Sequence, residues 1–327
     1  MKVHILDDWF DTLRALPCFR KLNGHDVTVW TDHVEDIDTL AARLSGAEAL
    51  VLFRERTKVT RALLERLPRL RLISQRSVYP HVDVPACTEN RVLLCSNMHA
   101  GTPSYAAAEL TWALILAAMR QIPAQMASVK SGTWQMGVGK TLRGRRIGLY
   151  GYGRIAQAVA RYAQAFGMEV VWWASDDGRA RAHANGETIA ENREAFFATC
   201  DVVSVHVRLK PETRGIITAV DFAAMRSDAV FVNTSRAGLI APGALKKALD
   251  EGRPGTAAID VFDSEPLTDP NDPLLSHSRL IATPHIGFVT EDEFDLQFAD
   301  IFDQVNAYAE SAPIHMINPE VWDTQRR

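Results

Sequence analysis

The sequence predicts an α/β protein with two doubly wound parallel sheets. Short apolar runs of strand character alternate with amphipathic helical segments along most of the chain. One strand–helix junction, within residues 142–167, contains a tight glycine turn. The chain has 327 residues, which is too long for one small hydrophobic core, so we expect two domains.

The composition is that of an ordinary globular protein, with 47% hydrophobic and 23% charged residues. The formal net charge is −4 and Lys and Arg form no blocks, so neither nucleic acid nor a membrane surface is an expected partner. The four cysteines lack CxxC spacing, and no metal site is predicted. There is no signal-peptide pattern, and the longest apolar stretch is shorter than the roughly 20 residues that span a bilayer. We therefore expect a soluble cytoplasmic protein.

Residues 1–100 alternate between strand and helix patterns. The runs VHIL, VTVW, ALVLF and LRLISQ are predicted strands, with helices over residues 11–22, 37–44 and 60–67. The short spacings leave room for single crossover helices, so the strands should be parallel. No glycine-rich turn of the kind that binds phosphate follows any of these strands.

The next segment, residues 100–123, is apolar on nearly every side. It predicts a helix over residues 104–119, with Thr102 and Ser104 as candidate caps. Such a helix is typical of a surface buried between domains or subunits, and a plain core helix is the alternative.

The turn GYGRIA predicts a dinucleotide-binding unit of Rossmann type. Gly151 permits the sharp bend after the strand, and Gly153 lets the backbone approach a pyrophosphate. Ala156 takes the place of the third glycine, where helix and strand pack closely. The helix N-terminus offers N–H groups to phosphate. An ordinary glycine turn is the alternative, but a second apolar run, 170–173, follows where the next strand is expected.

Later strands are predicted in CDVVSVHVRL, AVFVNTS, TAAIDVF and RLIATPH, followed by an amphipathic helix over residues 291–310. This last helix follows a completed sheet, so it can pack back on the first domain. The predicted domains are therefore 1–100 plus 289–327 and, between them, 101–288.

Three polar residues follow consecutive strands of the second predicted sheet: Arg236, Glu265 and His285. Loops at the carboxyl edge of a parallel sheet would bring them together, where ligands bind in such folds. A lone arginine at a strand end is often a surface or ion-pair residue, and a lone histidine is often a hydrogen-bonded core residue. Their common placement favours a catalytic site.

The segments NTSRAGLI, AIDVFDSEPL and TPHIGFVT, together with GYGRIA, HVDVPACTENRV and KPETRGIIT, resemble the D-isomer-specific 2-hydroxyacid dehydrogenase family. The resemblance implies hydride transfer between NAD or NADP and a small 2-keto or 2-hydroxy acid. It also implies a Rossmann-type NAD(P)-binding domain, a flavodoxin-like substrate/catalytic domain, and a homodimer joined through the cofactor domains. The implied catalytic set is Arg236, Glu265 and His285.

Each of these residue types suits a role in that reaction. Arg236 can grip the substrate carboxylate and polarise the neighbouring carbonyl. His285 can deliver or accept the proton, and Glu265 can fix its tautomer and favour the protonated ring. By resemblance, Asp260 should lie near the nicotinamide amide. The remaining predicted cofactor residues are Gly151, Tyr152, Gly153, Arg154, Ile155, Ser175, Asp176, His206, Val207, Thr213, Thr234 and Gly287. A structural strand-end histidine is the alternative for His206.

Two places depart from the family pattern. The second cofactor strand ends in WWASDDGRAR, with Ala174 where an acidic residue usually binds the ribose, so NAD and NADP both remain open. Ser175 and Asp176 follow, and Arg179 or Arg181 could meet a phosphate. In the first domain, the loop QRSVYPH lacks the family's glycines.

The amides of Ser77 and Val78 are the predicted contacts of that loop with the substrate carboxylate. Arg54 or Arg56, in LFRERT, is a candidate second anion contact, with surface exposure as the alternative. Two other functions stay open: a phosphoglycerate dehydrogenase-like enzyme, and a dinucleotide-sensing binding protein. Formate oxidation is disfavoured because that branch has glutamine where Glu265 stands.

Overall fold

The structure is a computed structural model that describes residues 1–98 and 105–325, with the side chains of residues 323–325 left out. Contacts within the chain define two compact units, Met1–Pro103 with Thr290–Arg327, and Ser104–Val289. The boundary predicted at 100/101 lies outside the described residues, as do the predicted caps Thr102 and Ser104.

The first unit contains a sheet of five parallel strands in the order β2-β1-β3-β4-β5. Strands β3 to β5 are almost entirely buried, which explains their continuous apolar sequence. This strand order is that of flavodoxin-like sheets, and the predicted fold class of the unit is confirmed. The strands are β1 (Lys2–Ile5), β2 (Asp26–Val29), β3 (Ala49–Val51), β4 (Leu72–Arg76) and β5 (Leu93–Asn97).

Three α-helices connect these strands: α1 (Ile37–Leu44), α2 (Arg61–Leu64) and α3 (Val84–Glu89). The α-helix predicted over residues 11–22 is wrong. Two short 3₁₀ helices, Leu13–Ala15 and Pro17–Leu22, occupy this stretch instead. Pro17 cannot donate an intrahelical hydrogen bond, and it holds Leu16 in extended backbone with ψ of 148°.

The second unit contains six parallel strands in the order β11-β10-β9-β8-β6-β7. The chain leaves β6 toward β7 on one side and returns to β8 on the other. Ligands bind beyond the carboxyl ends of the strands at such a switch point, and the Rossmann-type prediction is confirmed. The strands are β6 (Arg146–Tyr150), β7 (Glu169–Trp173), β8 (Val202–Val205), β9 (Val230–Asn233), β10 (Thr256–Ile259) and β11 (Leu280–Ala282).

The helices of this unit are α4 (Ala106–Met119), α5 (Ile122–Lys130), α6 (Arg154–Ala165), α7 (Asp176–Ala184), α8 (Arg193–Thr199), α9 (Ala219–Ala224) and α10 (Ala244–Glu251). Helix α4, predicted as an interface helix with a plain core helix as the alternative, packs one side on the core of its own unit. Its buried side chains pack with those of α6 and the sheet, and the Trp112 ring lies 5.0 Å from that of Phe166. Within the described residues, none of the helices could cross a membrane.

The chain then returns to the first unit as α11 (Glu291–Ala309) and α12 (Glu320–Gln325). The side chain of Thr290 caps α11 by accepting a hydrogen bond from the Glu293 amide. Phe294 and Phe298 pack on Phe53, with ring centroids 5.0 and 4.6 Å apart. This helix therefore completes the core beside β3 and β4.

Candidate active site

The glycine turn after β6 leaves open space in front of α6. Gly151 has a φ of +111°, and a Cβ added there would lie 2.4 Å from the carbonyl oxygen of His206. At Gly153, the residue before α6, an added Cβ would meet no atom of residues 1–98 or 105–325 within 4 Å. Within the described part of the chain, no side chain caps the N–H groups that begin this 12-residue helix. The turn thus fits a pyrophosphate, whose oxygens would accept hydrogen bonds from those N–H groups.

The side chain of Tyr152 points away from this space. Its ring packs in the core 4.7 Å from that of Trp172, and its hydroxyl accepts a hydrogen bond from Asn185 Nδ2 at 2.7 Å. Arg154 and Ile155 are exposed at the start of α6. Tyr152 can therefore contact a cofactor in this space only through its backbone. Arg154 and Ile155 can also contact it through their side chains.

His206 and Val207 follow β8 and lie directly against the glycine turn, where Val207 Cγ2 is 3.3 Å from the added Cβ of Gly151. Burial lowers the pKa of His206 to about 4, so its ring is neutral near pH 7. Its Nε2 lies 2.9 Å from the hydroxyl of Ser204. Thr213 is less direct: its hydroxyl donates to the carbonyl of Arg208 at 2.7 Å and closes the loop after β8.

The end of β7, where an acidic residue is expected, is occupied by the buried Ala174. Ser175 caps α7 by accepting from the Gly178 amide at 3.3 Å. Arg179 donates to the carbonyl of Ala174 at 2.7 Å and forms an ion pair with the exposed Asp176. Its guanidinium also lies 4.4 Å from the centre of the Trp173 ring. The Arg179 guanidinium therefore already lies at the end of β7, and the carboxylate of Asp176 partly neutralises its charge.

The predicted catalytic residues follow neighbouring strands of the same sheet. Glu265 Oε2 and His285 Nδ1 are 2.5 Å apart, and Glu265 Oε1 accepts from the Phe262 amide at 2.8 Å. Partial burial acts to raise the pKa of Glu265, but the hydrogen bonds from His285 and Phe262 and the charges of His285 and Arg236 together hold it below its usual value. The structure thus brings Glu265 and His285 together, and Arg236 lies close enough for its charge to lower the pKa of Glu265.

Two further cofactor candidates, Thr234 and Asp260, directly follow β9 and β10. Thr234 Oγ1 lies 2.7 Å from Thr111 Oγ1 on α4. Asp260 is fully buried and accepts hydrogen bonds from the Thr283 hydroxyl and the amides of Ile286 and Gly287. Burial raises the pKa of Asp260 despite these three donors. Its carboxylate therefore contacts the loop that carries His285, a role that the sequence did not indicate.

The predicted substrate contacts lie in the first unit, beyond the carboxyl ends of its strands. Arg56 is mostly buried between two rings, 3.9 Å from the centre of Trp9 and 4.5 Å from that of Phe53, and donates to the Asp7 carbonyl at 2.6 Å. Burial lowers the pKa of Arg56 to about 10. Arg54 follows β3 in left-handed backbone, with a φ of +58°. These contacts hold the Arg56 side chain within its own unit.

In the loop after β4, the two predicted amides differ. The Ser77 amide donates to the Asn97 carbonyl at 3.1 Å, so it is already engaged within the unit. Val78 is 41% exposed. Gln75, which the sequence did not single out, is fully buried beneath them. The signal available in the sequence was a polar residue at the end of an apolar strand run.

Comparison with known proteins adds independent support. Residues 112–287 match the family described as D-isomer specific 2-hydroxyacid dehydrogenase, NAD binding domain. The chain is 33% identical over 312 residues to the glyoxylate reductase of Aeropyrum pernix, covering 91% of each chain. It is 37% identical over 258 residues to the D-3-phosphoglycerate dehydrogenase of Methanocaldococcus jannaschii, covering 78% of this chain and 48% of that protein.

The chain thus spans about half of the length of that phosphoglycerate dehydrogenase. Among solved structures, a phosphoglycerate oxidoreductase from Vibrio cholerae is 42% identical, with a TM-score of 0.89 and coverage of 95% of this chain and 100% of that one. The names of these relatives agree with the predicted reaction and also with its phosphoglycerate alternative. A nicotinamide dinucleotide is accordingly the cofactor class. The predicted family is confirmed: the chain belongs to the D-isomer specific 2-hydroxyacid dehydrogenases.

Proposed function

We propose that the protein is an NAD(P)-dependent oxidoreductase that interconverts a small 2-keto acid and the D-2-hydroxy acid. The observation that carries the proposal is the 2.5 Å contact between Glu265 and His285. An acid–base pair of this kind stands at the carboxyl edge of the same parallel sheet as the open glycine turn.

The cofactor would be held by the glycine turn and the strand ends beside it. Backbone N–H groups at the start of α6 would bind the pyrophosphate, and the neutral His206 with Val207 would line the switch point. Bound there, the reduced nicotinamide supplies the hydride that the protein itself cannot provide.

The side chains of this unit would do the remaining work. Arg236 binds the substrate carboxylate and stabilises negative charge on the neighbouring oxygen. Protonated His285 donates a proton to that oxygen from Nε2, because its Nδ1 faces Glu265. Glu265, as a carboxylate, orients the ring and stabilises its positive charge. In the oxidation direction, neutral His285 accepts the hydroxyl proton.

We further propose that the unit comprising 1–103 and 290–327 binds the substrate, with Arg54 and the loop after β4 as its contacts. Arg56 is held by Trp9, Phe53 and the Asp7 carbonyl, which leaves Arg54 as the predicted anion contact of the two. Arg54 would supply this unit's contact with the carboxylate of a small 2-keto acid such as glyoxylate or hydroxypyruvate.

The proposal also covers the choice between NADH and NADPH, the oligomeric state and the cellular location. Ala174 and Arg179 support use of NADPH as well as NADH, whereas Asp176 favours NADH. A homodimer is supported by exposed apolar side chains on and after α5, among them Met126 and Val138. A cytoplasmic location remains the expectation from composition.

The test is a spectrophotometric screen of glyoxylate, hydroxypyruvate, pyruvate and bulkier keto acids, each with NADH and NADPH. His285→Ala should lower turnover by about 100-fold to 10,000-fold with cofactor binding intact. Arg236→Lys keeps the charge but loses the planar fork, so KM should rise and kcat should fall. Tight cofactor binding without turnover on any acid would instead favour the dinucleotide-sensing alternative, and activity on phosphoglycerate alone would favour the phosphoglycerate reading.

A further inference from the structure

The loop after β4 is held from beneath by one buried carboxamide. Gln75 Nε2 donates to the Ser77 carbonyl at 2.9 Å and to the Ser96 hydroxyl at 2.8 Å, with a longer contact of 3.4 Å to the Val78 carbonyl. Ser96 in turn donates to the same Ser77 carbonyl at 2.7 Å. Two successive carbonyl groups of the loop are therefore drawn toward the interior of the unit.

This arrangement fixes the direction of two N–H groups. In a trans peptide, the carbonyl of one residue and the N–H of the next point in opposite directions. The Ser77–Val78 and Val78–Tyr79 peptides are not among the cis peptides of the structure. Because the carbonyls of Ser77 and Val78 point inward, the N–H groups of Val78 and Tyr79 point outward. Neither N–H meets an acceptor among the residues that the structure describes.

The backbone at Ser77 needs such support. Its φ of +78° is left-handed, a conformation that glycine adopts readily and serine does not. The Ser77 amide is tied to Asn97 on one side, and its carbonyl is tied to Gln75 and Ser96 on the other. These hydrogen bonds stabilise the left-handed backbone at Ser77, which a glycine at this position would adopt without such support.

We propose that Gln75 is a positioning residue that turns the N–H groups of Val78 and Tyr79 outward to bind the substrate carboxylate. Two adjacent N–H groups with no internal acceptor form a concave site for an anion, and a carboxylate presents two oxygens to it. Gln75 does not itself contact the substrate. The inference rests on the proposed function, since it assumes a carboxylate substrate.

The buried Gln304 provides a matched control. From helix α11, its Nε2 donates to the main-chain carbonyl of Gln75 at 3.0 Å, so it contacts the same strand; its acceptors among the described residues are the carbonyls of Gln75 and Asp300, not those of Ser77 or Val78. Gln75→Met and Gln304→Met each remove one buried carboxamide while keeping a side chain of similar length. Both should lower thermal stability, and only the first should change the loop.

The experiment measures KM and kcat for the best keto acid, the inhibition constant of oxamate, and the Kd of NADH by fluorescence. Gln75→Met should raise KM and the oxamate constant at least tenfold with NADH binding unchanged, while Gln304→Met leaves all three within twofold. Should Gln75→Met not fold, Gln75→Leu removes the same donor with a shorter apolar side chain, and the same shift is expected.

Unchanged KM and oxamate constants in both Gln75 variants would overturn the inference while leaving the proposed function intact. An equal rise in Gln75→Met and Gln304→Met would also overturn it, because the effect would then follow from lost stability. Absence of keto-acid turnover in the unsubstituted protein would overturn the proposed function, and this inference with it.

Discussion

Asp260 accepts hydrogen bonds from residues on both sides of His285. Its Oδ1 accepts from the Thr283 hydroxyl at 2.6 Å and the Ile286 amide at 2.9 Å, and its Oδ2 accepts from the Gly287 amide at 2.8 Å. His285 lies between these donors with a φ of +55°, a left-handed conformation that costs a non-glycine residue about 1–2 kcal/mol. The fully buried carboxylate of Asp260 stabilises this conformation.

Asp260→Asn tests that role. The amide nitrogen of asparagine cannot accept, so at least one donor of the His285 loop would lose its partner in a buried place. We expect a loss of about 1–3 kcal/mol in the free energy of unfolding, measured by urea denaturation, and a fall in kcat. Thr283→Val removes only one of the three donors and should show a smaller fall. Full kcat in Asp260→Asn would show that the loop does not depend on this carboxylate.

Glu265→Gln should move the pH profile of keto-acid reduction. The pKa of Glu265 lies below its usual value, so the residue is a carboxylate throughout the neutral range. Removing this negative charge destabilises the protonated imidazole of His285, whose proton is needed for reduction. The rate should therefore begin to fall at a lower pH in the variant. Asp263→Asn, in the same loop, is the control. Identical profiles for Glu265→Gln and the unsubstituted protein would contradict the assignment.

Cofactor preference should be relaxed. We expect catalytic efficiencies with NADPH and NADH within about tenfold of each other, or less than roughly 1.4 kcal/mol apart. Asp176→Ala removes a carboxylate and releases Arg179 from its ion pair, so it should shift the ratio toward NADPH. Asp177→Ala, on the next residue of the same helix, should shift it less. A hundredfold preference for NADH in the unsubstituted protein would mean that an aspartate binds the ribose.

Light scattering at micromolar concentration should give twice the 36.3 kDa mass of the chain. Met126 is 56% exposed on α5, and Met126→Glu should weaken the dimer because it places a charge in an apolar surface. Val220→Glu is the matched control, since Val220 is 79% exposed on α9. A monomer mass for the unsubstituted protein would exclude the dimer at that concentration.

Sequence periodicity predicted both sheets because parallel strands buried on two faces read as continuous apolar runs, as in β8. The prediction of an α-helix over residues 11–22 was wrong, because the backbone restriction at Pro17 outweighs the helical spacing of the apolar residues. Burial of α4 at an interface stays a prediction, because this single chain shows only how α4 packs within its own unit.

The candidate site was predictable as a set of strand ends, and less so as a set of contacts. Glu265 and His285 could be named because both follow strands of one sheet. The hydrogen bonds of Asp260 and Gln75 could not be predicted. They depend on the left-handed backbone at His285 and Ser77. Non-glycine residues rarely adopt this conformation, so the conformational propensities of His and Ser do not indicate it.

The division of the first unit between the two ends of the chain sets an order on its assembly during synthesis. Residues 1–103 are synthesised first. The Phe53 ring lacks its contacts with Phe294 and Phe298 until α11 has left the ribosome. The second unit is continuous in sequence and has all of its strands by Ala282. The nucleotide-binding half can therefore fold on the ribosome before α11 is available to complete the core of the N-terminal half.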